Sequence, residues 1–247
     1  MLKRLFDVAL SAAGLLALLP VILACMLLIW LQDRRSPFYV APRAARGGGT
    51  FRMVKFRSMV IRADATGVDS TAANDRRITA IGRFIRRTKL DELPQLWNVL
   101  LGQMSFVGPR PNVTRETDLY TADERRLLTV RPGITDISSI VFSDEGDILQ
   151  GSDDPDLRYN QVIRPWKSRL GLLYVDRHSL ALDLQLILLT FLNAVSRERA
   201  LSSIQAMLGR LGASEELCRV AARKGPLPAA PPPGARTVVR NRHEVPA

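Results

Sequence analysis

Two adjacent carboxylates, Asp91 and Glu92, stand at the head of the run Lys89-Leu90-Asp91-Glu92-Leu93-Pro94-Gln95-Leu96-Trp97-Asn98-Val99-Leu100-Leu101-Gly102. An ionised carboxylate can hold Mg2+ or attack phosphorus, so this pair has the reagents for phosphoryl chemistry. Leu93, Leu96, Trp97, Leu100 and Leu101 recur at i, i+3, i+4, i+7 and i+8, the spacing of one buried helical face, and Gly102 stands where a helix stops. Pro94 is tolerated in a first turn, whose amide hydrogens have no intrahelical partner, which puts the helix start near Asp91. Both acids then lie at the positive end of the dipole, which favours an anion by roughly 0.3–1 kcal/mol and predicts that Asp91 stays ionised, with room for a phosphate nearby. Spacing alone leaves a plainer reading open, in which Asp91 is an N-cap and Glu92 complements the dipole.

Arginines on stiff loops are the other candidates for holding phosphate. Gly108-Pro109-Arg110-Pro111 fixes Arg110 between two rigid residues, and a planar guanidinium fork suits a phosphate; a surface turn is the alternative. Arg131-Pro132-Gly133 reads as a type II turn, with Pro presetting one dihedral and Gly supplying the positive one, so Arg131 is presented in the same way. The glycines of Arg46-Gly47-Gly48-Gly49-Thr50 do not make a P-loop, because no Lys followed by Ser or Thr closes them; they read as the turn of a hairpin between residues 36–40 and 51–56. Residues 78–87 read as a short helix that buries Ile78, Ile81 and Ile85 and brings Arg83, Arg86 and Arg87 either toward Asp91 or against anionic headgroups.

Composition narrows the chemistry. With only two His, His178 and His243, and two Cys, Cys25 and Cys218, a His-dependent triad, a Cys-based zinc site and a disulfide framework are all disfavoured. Thirty-five basic against 24 acidic residues leave a charge of +11, which suits nucleic acid, an anionic bilayer or a nucleotide without choosing among them.

The elements that must seat the acids begin with residues 8–31, an apolar stretch about as long as the roughly 20 residues a spanning helix needs. Pro20 interrupts it, Lys3 and Arg4 precede it, and Arg34 and Arg35 follow it. The positive-inside rule draws both flanks to the cytoplasm, which a helix bent at Pro20 and returning to the same side satisfies. One ordinary span is the alternative, and no small-residue cleavage site supports a signal peptide. Trp166, Lys167, Arg169, Tyr174 and Arg177 read either as an amphipathic element at the headgroups or as a core helix with a basic outer face. The apolar run 180–192 is too short to span, and Asp183 within it reads as a salt-bridge residue.

Asp91-Glu92-Leu93-Pro94-Gln95-Leu96-Trp97-Asn98-Val99-Leu100, then Met104-Ser105-Phe106-Val107-Gly108-Pro109-Arg110-Pro111, then Val130-Arg131-Pro132-Gly133-Ile134-Thr135, resembles the bacterial sugar transferase family of membrane-bound polyprenyl-phosphate phosphoglycosyl transferases. The match extends upstream through Lys3-Arg4-Leu5-Phe6-Asp7 and Lys55-Phe56-Arg57-Ser58-Met59 and downstream to about Leu192. The resemblance implies transfer of a sugar phosphate from a UDP-sugar to undecaprenyl phosphate, with release of UMP, to start an exopolysaccharide, capsule or glycoconjugate. It implies Asp91 as nucleophile, Glu92 as metal holder or proton-transfer aid, Mg2+ on Asp91 and Glu92, and Arg57, Arg86, Arg110 and Arg131 on phosphates. It places the chain at the cytosolic face of the inner membrane among its lipids, with no nucleic-acid partner, and leaves a homodimer open. The chain departs from the family at Leu19-Pro20, where Ser-Pro is common, and at Asp136-Ile137-Ser138-Ser139, where Gly-Trp-small-Gln often stands, so the sugar is not read across.

The expected architecture is α/β in its helix-rich α+β form, a compact monotopic enzyme with amphipathic interfacial helices. Residues 1–35 form the re-entrant helix, 36–195 the catalytic domain, 196–224 a helical appendage and 225–247 a disordered Pro-rich tail. Two rivals stand beside it. One is a basic membrane-anchored binder of nucleic acid or anionic lipid, although no helix-turn-helix, zinc finger or RNA-binding signature is present. The other is a glycosyltransferase that releases UDP.

Overall fold

The computed structural model describes residues 1–63, 71–72, 74–241 and 244, so residues 242–243, which include His243, and 245–247 of the expected tail lie outside the described residues. Helices α1 (Leu2–Ala17) and α2 (Leu19–Asp33) meet at Leu18 and are bent by 62°. Pro20 falls in the first turn of α2, where its missing N–H leaves no bond unmade, so the break lies at Leu18 instead of at the proline. Among the described residues no single helix is long and apolar enough to cross a membrane, but this bent pair passes the test of length and composition together. Cys25 and Ile29 of α2 pack against Phe56 and Ile85, while Leu19, Leu23, Leu27, Leu28 and Leu31 are exposed. One stripe of α2 docks on the protein and the rest of its apolar surface is left uncovered.

The expected hairpin is present. Strands β1 (Phe38–Ala44) and β2 (Thr50–Phe56) are antiparallel, from Phe38 opposite Phe56 to Ala44 opposite Thr50. Gly47 and Gly48 turn the chain at φ 82° and 83°, a region that other residues enter at a steric cost. Helix α3 (Ala80–Arg87) begins at Thr79, whose hydroxyl oxygen accepts from the Gly82 amide. A 3-10 turn over Leu90–Glu92 and helix α4 (Gln95–Leu100) follow, and Gly102 ends that helix at φ 81°.

Strand β3 (Ser105–Val107) pairs in parallel with β4 (Gly133–Thr135), Ser105 opposite Gly133. Arg131-Pro132-Gly133 is therefore not the type II turn its composition suggests. Gly133 has no positive φ and is a strand residue, kept without a side chain because a Cβ there would lie 2.1 Å from the Gly108 nitrogen. Short helix α5 (Thr114–Asp118) lies in the connection between these strands.

The largest core is helical. It is built from α6 (Ile137–Val141), α7 (Glu145–Leu149), α8 (Pro155–Val162), α9 (Arg164–Arg177), α10 (Leu180–Val195), α11 (Arg197–Arg210) and α12 (Glu215–Ala221). Asp136, Asp154, Ser179 and Ser214 each accept an amide hydrogen at the start of α6, α8, α10 and α12, so the helix starts are satisfied locally. Trp166 and Tyr174 are both 1 % exposed, which makes α9 a core helix and not a headgroup element. Helices α11 and α12 contribute Ile204, Leu208 and Leu217 to the same core, so the region expected to be an appendage is packed into the body. Helix α10 buries Leu182, Leu186 and Leu189 and exposes Leu184, Leu188, Phe191 and Val195.

The Pro-rich segment departs from its expected disorder over residues 225–241. Trp166 Nε1 donates to the Pro228 carbonyl at 2.9 Å, Arg169 to that of Pro231 at 2.9 Å, and Thr121 to that of Pro233 at 2.5 Å. Ala230 and Val239 are buried. Prolines give up their donors but keep their carbonyls, and those carbonyls meet side-chain donors that the body would otherwise leave unpaired.

Candidate active site

Lys89, in the left-handed region at φ 58°, turns the chain out of α3 and into the 3-10 turn that carries the two acids. Pro94, which has no amide hydrogen to continue an i to i−4 ladder, separates that turn from α4. Asp91 is thus not the N-cap of one long helix. The stripe inferred from spacing is also rotated, since α4 buries Gln95, Leu96, Asn98 and Val99 while Trp97 is 51 % and Leu101 54 % exposed. Asn98 fixes that orientation. Its side-chain oxygen accepts from the Val54 amide at 2.9 Å and its nitrogen donates to the Arg52 carbonyl at 2.8 Å and to Gln103 at 2.7 Å, which ties α4 to β2.

Glu92 is clamped between Arg110, whose Nη2 pairs with its Oε1, and Lys55, whose Nζ lies 3.3 Å from the same oxygen. Arg110 also donates to the Ile134 carbonyl at 3.3 Å. Burial alone would raise the Glu92 carboxyl, but the Arg110 and Lys55 charges overcome it and hold that carboxyl well below the usual carboxylate range. Burial in turn lowers Lys55, although Glu92 opposes it.

Asp91, 6 % exposed, has the opposite environment. Burial, and then the neighbouring Glu92 charge, raise its carboxyl above the ordinary value, with Lys55, Arg86 and Lys89 working against them. No hydrogen bond to its carboxylate is found among the described residues. The direction is contrary to the dipole argument, because α4 has only six residues and starts at Gln95, beyond Asp91.

Of the residues singled out in the sequence, the structure brings Asp91, Glu92, Arg86 and Arg110 together. Arg57 is elsewhere: it grips Asp33 at the end of α2 with bonds of 2.6 and 2.7 Å and the Ser36 carbonyl at 2.8 Å. Arg131 donates to the Gly102 carbonyl at 2.9 Å, past the opposite end of α4. Two residues beside the acid pair escape the sequence pattern, namely Lys55 and Lys89, whose charges act on both acids. Lys55 shares the inward parity of Phe51 and Met53 on β2, and a charged residue at an inward strand position is the signal that could have found it. On α4, Gln95 is 1 % exposed and its Nε2 has no hydrogen-bond partner among the described residues. Asp136, in the stretch that departs from the family pattern, caps α6 by accepting from the Ser139 amide at 2.7 Å.

Among the described residues no three acidic, His or Cys side chains cluster as a metal cage. The donor set fits a hard cation held by one carboxylate, with water and phosphate oxygens completing its shell, as Mg2+ is commonly bound. Asp91 is free for that, whereas Glu92 is already occupied by two cationic side chains. Beside Arg110 a pocket opens between Asn112, Tyr120, Ser138, Tyr159 and Lys167; neither Asp91 nor Glu92 lines it, and Arg110 borders both regions.

Comparison with known proteins identifies the family. The model of the family described as bacterial sugar transferase matches residues 1–197. The chain is 35 % identical over 202 residues to the UDP-glucose:undecaprenyl-phosphate glucose-1-phosphate transferase of Xanthomonas campestris pv. campestris, covering 80 % of this chain and 40 % of that protein. It is 40 % identical over 152 residues to the undecaprenyl-phosphate galactose phosphotransferase of Salmonella typhimurium, covering 54 % and 31 %. It is 37 % identical over 153 residues to the exopolysaccharide production protein ExoY of Sinorhizobium fredii, covering 56 % and 68 %. The chain thus spans between about a third and two thirds of the length of these relatives. It belongs to the bacterial sugar transferase family.

Proposed function

We propose that the chain transfers a sugar phosphate from a UDP-sugar to undecaprenyl phosphate through a covalent phosphosugar on Asp91. The observation that carries this reading is the contrast within the acid pair: Glu92 is neutralised by Arg110 and Lys55, while Asp91 is buried with no hydrogen bond to its carboxylate among the described residues. A carboxylate whose charge is poorly stabilised is more basic, and a more basic oxygen is the better nucleophile once ionised.

An Asp91 oxygen attacks the sugar-bearing phosphorus, the bond from that phosphorus to the bridging oxygen breaks, and its electron pair leaves with UMP. An oxygen of undecaprenyl phosphate then attacks the same phosphorus and the aspartyl–phosphorus bond breaks, which restores Asp91. Arg110 neutralises phosphate charge as it develops, and Glu92 holds Arg110 and Lys55 in place for that task. Asp91 would hold Mg2+, which would supply further neutralisation of the pyrophosphate charge. The bent α1–α2 pair and the exposed leucines of α2 and α10 seat the chain in one leaflet of the inner membrane, with the acids on the cytosolic side.

Incubating the membrane-embedded protein with a panel of UDP-hexoses and undecaprenyl phosphate tests the reaction class. UMP as the product nucleotide supports it. UDP contradicts it in favour of plain glycosyl transfer, and no turnover with salt-sensitive nucleic-acid binding contradicts it in favour of a basic binding protein.

A further inference from the structure

Lys3, Arg4 and Asp7 are part of a motif the proposed chemistry does not use, yet each reaches from the first two turns of α1 into the segment that carries the acids and Arg110. Asp7 is 1 % exposed, and its Oδ1 accepts from the Ser105 hydroxyl and the Phe106 amide, both at 3.1 Å. Lys3 donates to the Val107 carbonyl at 3.0 Å and to the Tyr174 hydroxyl at 3.3 Å, and pairs with Asp183. Arg4 donates to the Val99 carbonyl at 2.6 Å and the Leu100 carbonyl at 2.8 Å. Those are last-turn carbonyls of α4; that of Val99 also accepts from the Gly102 amide at 2.9 Å, so Arg4 adds a second bond there and caps Leu100.

One face of α1 therefore holds all of β3 and the C-terminal end of α4. Helix α4 leads back through Pro94 to Asp91 and Glu92, and β3 leads forward through Gly108 and Pro109 to Arg110. Another face of the same helix exposes Leu2, Leu5 and Leu16. We infer that Lys3, Arg4 and Asp7 are positioning residues that set the placement of Arg110 against the acid pair from the membrane helix, so that the seating of α1 is transmitted to the site. This rests on the reading of Asp91 and Glu92 as the active site.

The test uses the full chain in lipid vesicles and the variants Asp7→Ala, Asp7→Asn and Arg4→Met. The readouts are UMP release per folded molecule, thermal midpoint and backbone hydrogen exchange. Asp7→Ala is expected to lower kcat by about tenfold or more, since a small misplacement of a reacting group costs up to roughly a hundredfold. Its KM for the UDP-sugar should move far less, and exchange at Phe106 should accelerate while α9 to α12 keep their protection. Asp7→Asn retains an oxygen that can accept from the Phe106 amide, so it should restore kcat. Arg4→Met should accelerate exchange in the last turn of α4 and lower kcat in the same way. A lower thermal midpoint with unchanged kcat per folded molecule would overturn the inference in favour of a merely structural clamp. If the wild type releases no UMP, the active-site reading fails instead, and the exchange measurement still decides the clamp: unaltered protection across residues 95–108 in Asp7→Ala and Arg4→Met overturns it.

Discussion

Glu124 and the Asp91–Glu92 pair are both buried acidic centres with an arginine partner, and they differ in what is left over. Glu124 is 0 % exposed; its oxygens accept from Arg164 Nε at 3.0 Å and Nη2 at 2.5 Å, from Ser168 at 2.7 Å and from the Thr121 amide at 3.1 Å. Thr121 answers by accepting from the Glu124 amide at 3.1 Å, the reciprocal arrangement of a capping box. The remaining Arg164 donors go to Asn160 and the Leu119 carbonyl. Every strong group there has a partner, as a cluster retained for folding requires. In the other centre Glu92 is similarly neutralised, but Asp91 is buried beside it with no hydrogen bond to its carboxylate among the described residues. The two centres therefore differ in unmet polar capacity, which Asp91 has and the Glu124 cluster lacks.

The largest effect that sharpens this contrast is that of Asp91→Asn. UMP release should fall by roughly three orders of magnitude or more, at least about 4 kcal/mol in transition-state stabilisation. The thermal midpoint should stay level or rise, because the charge that burial penalises is gone. A marked loss of stability in this variant would break the comparison from the Asp91 side. Glu124→Gln breaks it from the other side if it costs activity per folded molecule. It should instead lower stability by about 3–5 kcal/mol in a denaturation experiment, since Arg164 keeps its buried charge without its partner.

Arg110→Lys comes next, with kcat/KM expected to fall by about ten- to a hundredfold, or roughly 1.4–2.8 kcal/mol, as the charge is kept and the fork is lost. Equal rates for the wild type and the Arg110→Lys variant would return that loop to a structural role. The pH dependence follows from the opposite directions of the two acids. Because the folded Asp91 carboxyl is raised, folding disfavours its ionisation; relative to Asp91→Asn, the wild type should lose stability as pH climbs from the ordinary aspartate value, about 3.9, through the raised one. Activity should climb in that same window as the nucleophile ionises. Glu92, held low, contributes stability above the ordinary glutamate value, about 4.3, and loses it only as pH falls through its lowered folded value. The acid limb of the rate profile should therefore follow the ionisation of Asp91 and lie above the pH at which Glu92 takes up its proton. The smallest effect is expected for Arg131→Ala, about 1 kcal/mol in stability with little change in rate, because its partner is the Gly102 carbonyl.

Part of this architecture is legible in the sequence where short-range patterns decide it. The hairpin glycines and the helix-ending Gly102 follow from short-range backbone chemistry, whereas the functional reading of the acid pair and of Arg110 comes from the resemblance to the family. Long-range pairing is less accessible. The partnership of Arg57 with Asp33 joins two elements that no periodicity links, and strands of three residues such as β3 and β4 are too short to register as alternation. The orientation of α4 escapes the periodicity because an apolar stripe is assumed to face the protein interior. Here buried Asn98 holds the helix by backbone bonds to β2 and leaves Trp97 and Leu101 outside. The order of the Pro-rich segment is hidden for a related reason: apolar content is the criterion for a packed segment, whereas this one rests on proline carbonyls meeting Trp166, Arg169 and Thr121.

The central claim, that Asp91 takes the phosphosugar, is tested most directly by rapid mixing of the membrane-embedded protein with a UDP-sugar in the absence of any polyprenyl phosphate. The expected result is a burst of UMP close to stoichiometric with the enzyme, with the sugar phosphate recovered on the peptide containing Asp91 and absent from Asp91→Asn. UMP that appears only after undecaprenyl phosphate is added, with both substrates required before any release, would contradict it.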